Sequence, residues 1–170
     1  PWNVDPIKFG EFYIQIFDEW VKKDVGRYFV QTFDATLANM VGEQPGTCIF
    51  GETCGHAMVM EFNGDVYSCD HFVFPEYKLG NIKTHTVVEM AFSEKQLQFG
   101  QNKRDLLPSQ CKKCEYLKLC RGECPKNRIL KTADGENGLN YLCRGYTNFF
   151  RHSYPYMEFM ANELFFHRSP

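Results

Sequence analysis

Eight cysteines dominate the chemistry open to this 170-residue chain. They fall into two groups, Cys48-x5-Cys54-x14-Cys69 and Cys111-x2-Cys114-x5-Cys120-x3-Cys124-x18-Cys143. A Cys-x2-Cys pair on a tight turn lets two thiolates face one metal centre. Eight thiols suffice for two four-cysteine sites, and both structural zinc and iron–sulfur clusters take such donor sets. Spacing alone does not say which four share a site. Disulfides fit less well, because Pro1–Asp5 shows no secretory signal and close Cys-x2-Cys spacing reads as metal. The five histidines show no paired metal-binding spacing and read as ordinary core or surface residues.

The elements that must hold these thiols are helical and β in turn. Asp5 is a good N-cap and Pro6 suits the first helical position. Phe9, Phe12, Tyr13, Ile16, Phe17, Trp20 and Val21 then form a wide apolar stripe that predicts a helix, with Lys22 and Lys23 in its last turn and Gly26 as a stop. Tyr28–Phe33 reads as a short strand. Asn63-Gly64 between Met58–Phe62 and Val66–Cys69 predicts a hairpin, both turn residues taking positive φ. Residues 71–83 read as loop or irregular strand. Val87–Phe92 reads as a short helix, and Ser93–Gln96 as a capping box opening a second helix through about Arg104, with Pro108 ending it. Lys131–Asn140 reads as loop, and 141–166 as a helix broken or kinked at Pro155.

Composition excludes several classes. Apolar residues make up 44% and charged ones 24%, so the chain is not generally disordered. Aromatics at 16% predict a large aromatic core. No run approaches the roughly 18–20 apolar residues of a membrane span. A net charge of −2 does not suggest a polyanion-binding surface. The second cysteine group is locally basic through Lys112, Lys113, Lys118, Arg121, Lys126, Arg128 and Lys131. Screening of anionic thiolates or a docking face explains this better than phosphate contact, so a nucleic-acid role is not expected.

Cys120-x3-Cys124-Pro125 resembles the end of the bacterial ferredoxin run, whose last Cys serves a different cluster from its neighbours. The larger pattern is Cys54-x9-Gly64-x4-Cys69, a gap, Cys111-x2-Cys114-x5-Cys120-x3-Cys124, a gap, and Cys143. It resembles the SPASM domain, the C-terminal twin-cluster extension of radical S-adenosylmethionine enzymes that modify peptides and proteins. Pro45-Gly-Thr-Cys48, Cys54-Gly-His, Gly64-Asp-Val-Tyr-Ser-Cys69-Asp70-His-Phe-Val, Leu79-Gly80-Asn81-Ile82 and Phe99-Gly100 are similar to the anaerobic sulfatase-maturating enzymes.

The resemblance implies an oxidoreductase that converts a Cys or Ser of a sulfatase precursor to Cα-formylglycine without oxygen. One auxiliary [4Fe–4S] cluster would use Cys48, Cys54, Cys69 and Cys124, the other Cys111, Cys114, Cys120 and Cys143. Asp70, directly after Cys69, would be the base that takes the substrate's hydroxyl or thiol proton. The substrate would be an unfolded sulfatase segment in the cytoplasm, and electrons would pass to an external carrier such as flavodoxin or ferredoxin. S-adenosylmethionine and a third [4Fe–4S] cluster need a Cys-x3-Cys-x2-Cys loop. Asn127 stands where its third Cys would be, so a missing N-terminal part is expected to bind them and the chain alone to be inactive.

The expected fold is therefore α+β, an irregular cysteine-rich domain with a β-hairpin and flanking helices. Residues 1–36 would be the tail of a partial (β/α)6 radical SAM barrel, 37–147 the twin-cluster domain, and 148–170 a C-terminal helix packed on it. The stripe on the first helix would then lack part of its partner, and a homodimer could cover it. Two alternatives stay open: the SPASM domain of another peptide-modifying radical SAM maturase, and a four-cysteine zinc-binding interaction module.

Overall fold

Seven helices and five short strands alternate along the described residues of the computed structural model, 3–168. Positions 1, 2, 169 and 170, the outer ends of the expected first and last segments, lie outside them. In chain order the elements are α1 (Pro6–Lys23), α2 (Gln31–Val41), β1 (Val59–Met60), β2 (Asp65–Tyr67), β3 (Lys78–Asn81), α3 (Val87–Ala91), α4 (Glu94–Asp105), α5 (Ser109–Lys112), α6 (Leu117–Cys120), β4 (Leu130–Lys131), β5 (Asn137–Leu139) and α7 (Cys143–Arg168). They form two units, one of residues 1–51 and 107–170, the other of residues 52–106. No helix among the described residues is long and apolar enough to cross a membrane.

The first unit is built on α1, α2 and α7. Asp5 caps α1 as expected, its Oδ1 accepting from the N–H groups of Ile7 (2.8 Å) and Lys8 (3.0 Å). The stripe of α1 is largely covered within this unit. Phe17 and Trp20 are buried, Phe9, Tyr13, Ile16 and Val21 pack against them, and Phe12 alone of the stripe stays 58% exposed. Phe17, Phe33 and Phe149 form the centre, with ring centroids 5.2 to 6.0 Å apart. The aromatic-core expectation is met here.

Close approach of α1 and α7 depends on two glycines. A Cβ on Gly145 would lie 2.1 Å from the Pro6 carbonyl oxygen, and one on Gly10 would lie 2.6 Å from the Gly145 carbonyl oxygen. Glycine costs each helix about 1 kcal/mol in propensity. The backbone contact it permits brings Tyr146 and Phe149 onto α1.

Several local expectations need correction. Tyr28–Phe33 is not a strand: Val30 is the last extended residue and α2 begins at Gln31. Phe33, Leu37 and Met40 follow the helical period and meet the core, and that burial overrides β propensity. Asn63-Gly64 does turn a hairpin, but only Gly64 takes positive φ (+88°). The turn runs Glu61–Gly64, closed by Gly64 N–H to Glu61 O (2.9 Å) and Glu61 N–H to Asp65 O (2.8 Å). Residues 78–81 supply a third antiparallel strand in the order β1-β2-β3, with Asp65 opposite Asn81 and Val66 opposite Gly80. Residues 130–139 pair as β4 and β5 around Gly135. Helix α7 continues through Pro155, because Met157 and Ala161 beyond it are buried.

Candidate metal centres

Four cysteines of the first unit line one cavity of about 420 Å³: Cys111, Cys114, Cys120 and Cys143. Local backbone geometry aims each of them. Pro108 O accepts from Cys111 N–H (2.9 Å) and Cys111 O from Cys114 N–H (3.1 Å), so the Cys-x2-Cys pair sits on consecutive tight turns. Glu136 anchors this segment, its carboxylate accepting from Ser109 N–H (2.5 Å) and Ser109 Oγ–H (2.8 Å). Cys120 is the last residue of α6. Cys143 is the first of α7, and its N–H donates to Asn140 O (3.1 Å). Tyr146, Thr147 and Phe150 on the first turns of α7 form the apolar wall.

Behind the cavity, Asn39 ties two cysteine segments together. It is buried, and its Nδ2 donates to Phe50 O (2.9 Å) and Leu119 O (3.2 Å). Leu119 immediately precedes Cys120. Lys118 donates to Met40 O (2.9 Å), so this member of the basic group serves the fold.

Metal-free, Cys111, Cys120 and Cys143 are thiols rather than thiolates. Burial pushes Cys120 up to about 12, and Cys143, Cys111 and Cys114 add repulsion against a hydrogen bond from Gly122 N–H. Burial and the neighbouring Cys143 push Cys111 up to about 11, with Arg128 pulling the other way. Cys143 is also raised, mainly by burial. Four thiolates here need a cationic centre, and its binding must release protons.

Sulfur spacing bears on which centre fits. A tetrahedral zinc with Zn–S near 2.3 Å holds its sulfurs about 3.8 Å apart. Among the described residues, the one trio of candidate ligand atoms within 4.8 Å of one another is Cys69, Asp70 and His71. No three of the four cavity sulfurs are that close. They line a volume with room for a polyatomic iron–sulfur cluster. Four cysteine ligands would leave no open iron for substrate.

Cys48 and Cys124 also belong to the first unit, Cys48 exposed in a turn and Cys124 buried. Cys124 is not part of the cavity lining. Just before it, Glu123 is buried and its carboxylate accepts from Asn127 Nδ2 (2.9 Å) and Asn140 Nδ2 (2.5 Å).

Cys54 and Cys69 lie in the second unit, held by α4. Cys54 N–H donates to Gly100 O (3.1 Å). A Cβ on Gly100 would come within 2.6 Å of Cys54 O, so the helix can lie against this loop only as glycine. Gln96 is buried, and its Nε2 donates to Gly55 O (3.2 Å) and Ser68 O (3.3 Å), the neighbours of Cys54 and Cys69. Ser93 caps α4 through Gln96 N–H alone, since the Gln96 side chain is committed to the cysteine loops. The complete capping box stands one helix earlier, at Thr86 and Glu89.

Asp70 is exposed in a short 3-10 turn after Cys69. Its Oδ1 accepts from Cys69 Sγ–H (3.1 Å) and His71 N–H (3.0 Å). The Cys69 hydrogen bond is the main reason its carboxyl titrates below the usual range. Sequence reasoning names the eight thiols and Asp70 as candidates. It missed Asn39, Gln96, Glu123 and Asn140, and placed Arg128 only in a basic group.

Comparison with known proteins follows the cysteines. Residues 48–115 match the SPASM family, described as an iron–sulfur cluster-binding domain. A serine-type anaerobic sulfatase-maturating enzyme of Bacteroides thetaiotaomicron is 62% identical over 168 residues, covering 99% of this chain and 41% of that protein. A cysteine-type anaerobic sulfatase-maturating enzyme of Clostridium perfringens is 30% identical over 165 residues, covering 96% of this chain and 44% of that protein. The solved structure described as native anSMEcpe with bound AdoMet and Kp18Cys peptide superposes with a TM-score of 0.81 at 30% identity, covering 95% of this chain and 45% of that one. The chain thus spans less than half the length of the relatives it matches.

Proposed function

We infer that this chain is the auxiliary-cluster part of an anaerobic sulfatase-maturating enzyme, an oxidoreductase of the radical S-adenosylmethionine superfamily. The observation that carries the reading is the cavity ringed by Cys111, Cys114, Cys120 and Cys143. These four would hold one [4Fe–4S] cluster. The second set, Cys48, Cys54, Cys69 and Cys124, is proposed on the resemblance alone. When bound, fully cysteine-ligated clusters supply one-electron transfer and cross-link the segments that carry them.

The reaction would oxidise a substrate side chain by two electrons, Ser or Cys becoming Cα-formylglycine, the latter after hydrolysis. Identity of 62% to a serine-type enzyme favours Ser as the residue oxidised. Asp70 would accept the hydroxyl proton. It is exposed, and an exposed carboxylate is ionised at neutral pH, the form a base requires. The substrate is proposed to be an unfolded sulfatase segment, and the electron acceptor a small one-electron carrier. S-adenosylmethionine and a third cluster would bind outside residues 1–170, with residues 1–36 forming the end of the barrel, 37–147 the twin-cluster domain, and 148–170 a packed helix. A cytoplasmic setting keeps the thiolates reduced.

The test uses the full-length enzyme. Asp70→Asn is expected to abolish formylglycine formation in a sulfatase peptide, read by mass spectrometry, while iron content stays at the wild-type level. Unimpaired turnover in this variant would remove Asp70 from the mechanism.

A further inference from the structure

Cys120 and Cys124 are separated by three residues. In a continuous right-handed helix, positions i and i+4 lie on one face, so both thiols would reach the same centre. Helix α6 ends at Cys120, and the next three residues are all left-handed: Arg121 (φ 51°), Gly122 (φ 69°) and Glu123 (φ 53°). Among the described residues, Arg121 and Glu123 are the only non-glycine positions with positive φ. Each costs about 1–2 kcal/mol relative to the right-handed form. A turn of this kind needs something to hold it.

Arg128 meets that need. Its Nε donates to Gly122 O (2.9 Å), and its Nη2 donates to Arg121 O and Glu123 O (3.2 Å each). One guanidinium therefore gathers the carbonyls of all three left-handed residues. The planar fork can do this; a lysine ammonium, a point donor on a flexible stem, does not reproduce the geometry. A Cβ on Gly122 would sit 2.7 Å from Nη2 and 2.3 Å from Leu107 Cδ2, so the fork and Leu107 pack tightly on this turn. The consequence is visible at the cysteines. Cys120 lines the cavity with Cys111, Cys114 and Cys143, and Cys124 does not.

We propose that Arg128 is the positioning residue that sorts Cys120 and Cys124 between two metal centres, by locking the left-handed turn between them. The inference rests on the twin-cluster reading above. Without the fork, residues 121–123 relax toward the right-handed helix that α6 begins, and Cys124 swings toward the face of Cys120. One cluster then loses its fourth thiolate. The basic side chain that sequence alone placed in a general screening group has a specific structural task.

The test compares this chain with its Arg128→Met, Arg128→Lys and Arg128→Met/Arg121→Gly variants. Each is loaded anaerobically with iron and sulfide, analysed for both, and examined by EPR after reduction. Wild type is expected to hold about eight iron, as two four-iron centres. Arg128→Met and Arg128→Lys are expected to lose about half of it, with an altered spectrum. Gly at position 121 accepts the left-handed conformation without strain, so the double variant is expected to regain iron and the wild-type spectrum. A generic packing defect would not be repaired by that glycine. Should Arg128→Met lose its helical circular dichroism, Arg121→Gly in the wild-type background decides. It must keep the iron and raise Tm, and a lowered Tm refutes the strained turn. Wild-type iron and an unchanged spectrum in Arg128→Met overturn the inference alone. Zinc without iron or sulfide in the wild type overturns the cluster reading, and the inference with it.

Discussion

Gly145 offers the sharpest test of how the helices present Cys143. It lies two residues into α7, against α1, and a methyl group there would sit 2.1 Å from Pro6 O, 3.0 Å from Phe9 Cδ1 and 3.1 Å from Gly10 N. Real Cβ contacts essentially never fall below 3.0 Å, and the nearest atom is backbone, so the two helices must part by about 0.9 Å. Overpacking of this kind costs about 1–3 kcal/mol, and a displaced backbone puts the site at the upper end. Alanine returns about 1 kcal/mol of helix propensity. The net expectation for Gly145→Ala is a loss of about 2 kcal/mol, or a Tm lower by about 4–8 °C in a chain of this size. Because Cys143 begins the same helix, iron retention after anaerobic loading should fall as well. Gly55→Ala serves as control, since a Cβ there meets nothing within 4 Å. The assay is thermal unfolding by circular dichroism, with iron analysis of the same samples. A Tm that is unchanged or raised, as propensity alone would give, refutes the close-contact argument.

Two further outcomes follow from the buried polar groups. Asn39→Leu leaves the carbonyls of Phe50 and Leu119 without their donor, and should lower stability by about 2–4 kcal/mol in urea denaturation; a change under about 0.5 kcal/mol would show that the bridge carries nothing. The metal-free chain should also lose stability with rising pH. Cys120 and Cys111 titrate near 12 and 11 when folded against an ordinary 9.0, so above about pH 9 the unfolded chain releases protons that the folded chain keeps. Its Tm should fall from about pH 9 to about pH 11, and this fall should vanish once metal is bound, because ligating thiolates carry no proton. A flat profile in the metal-free chain would contradict the buried-thiol picture.

The candidate cysteines were legible because the donor sets of metal sites are written in residue type and spacing. Cys111-x2-Cys114 and the distant Cys143 needed no tertiary information to be suspected. The cap at Asp5 and the stripe of α1 were equally readable, since they depend on neighbours in sequence. Tyr28–Phe33 differs from its reading because a six-residue β-prone run fits either period, and only the core around Phe17 and Phe149 selects the helix. The groups that aim the cysteines were not legible at all. Gln96 looked like a capping-box partner, yet its amide serves carbonyls 41 and 28 residues away. Arg128 looked like one more surface cation. Its role depends on where three carbonyls converge, and that follows from backbone conformation, not from side-chain pattern. Thr86-Val-Val-Glu89 did carry a readable capping signature and was passed over for the weaker one at Ser93.

Cys111, Cys114, Cys120 and Cys143 are proposed to hold one four-iron cluster of two. Iron and acid-labile sulfide per chain, measured after anaerobic loading on wild type and on the Cys111→Ala/Cys143→Ala variant, tests this assignment most directly. About eight of each are expected in the wild type and about four in the variant. Eight retained in the variant, or zinc without sulfide in the wild type, would contradict it.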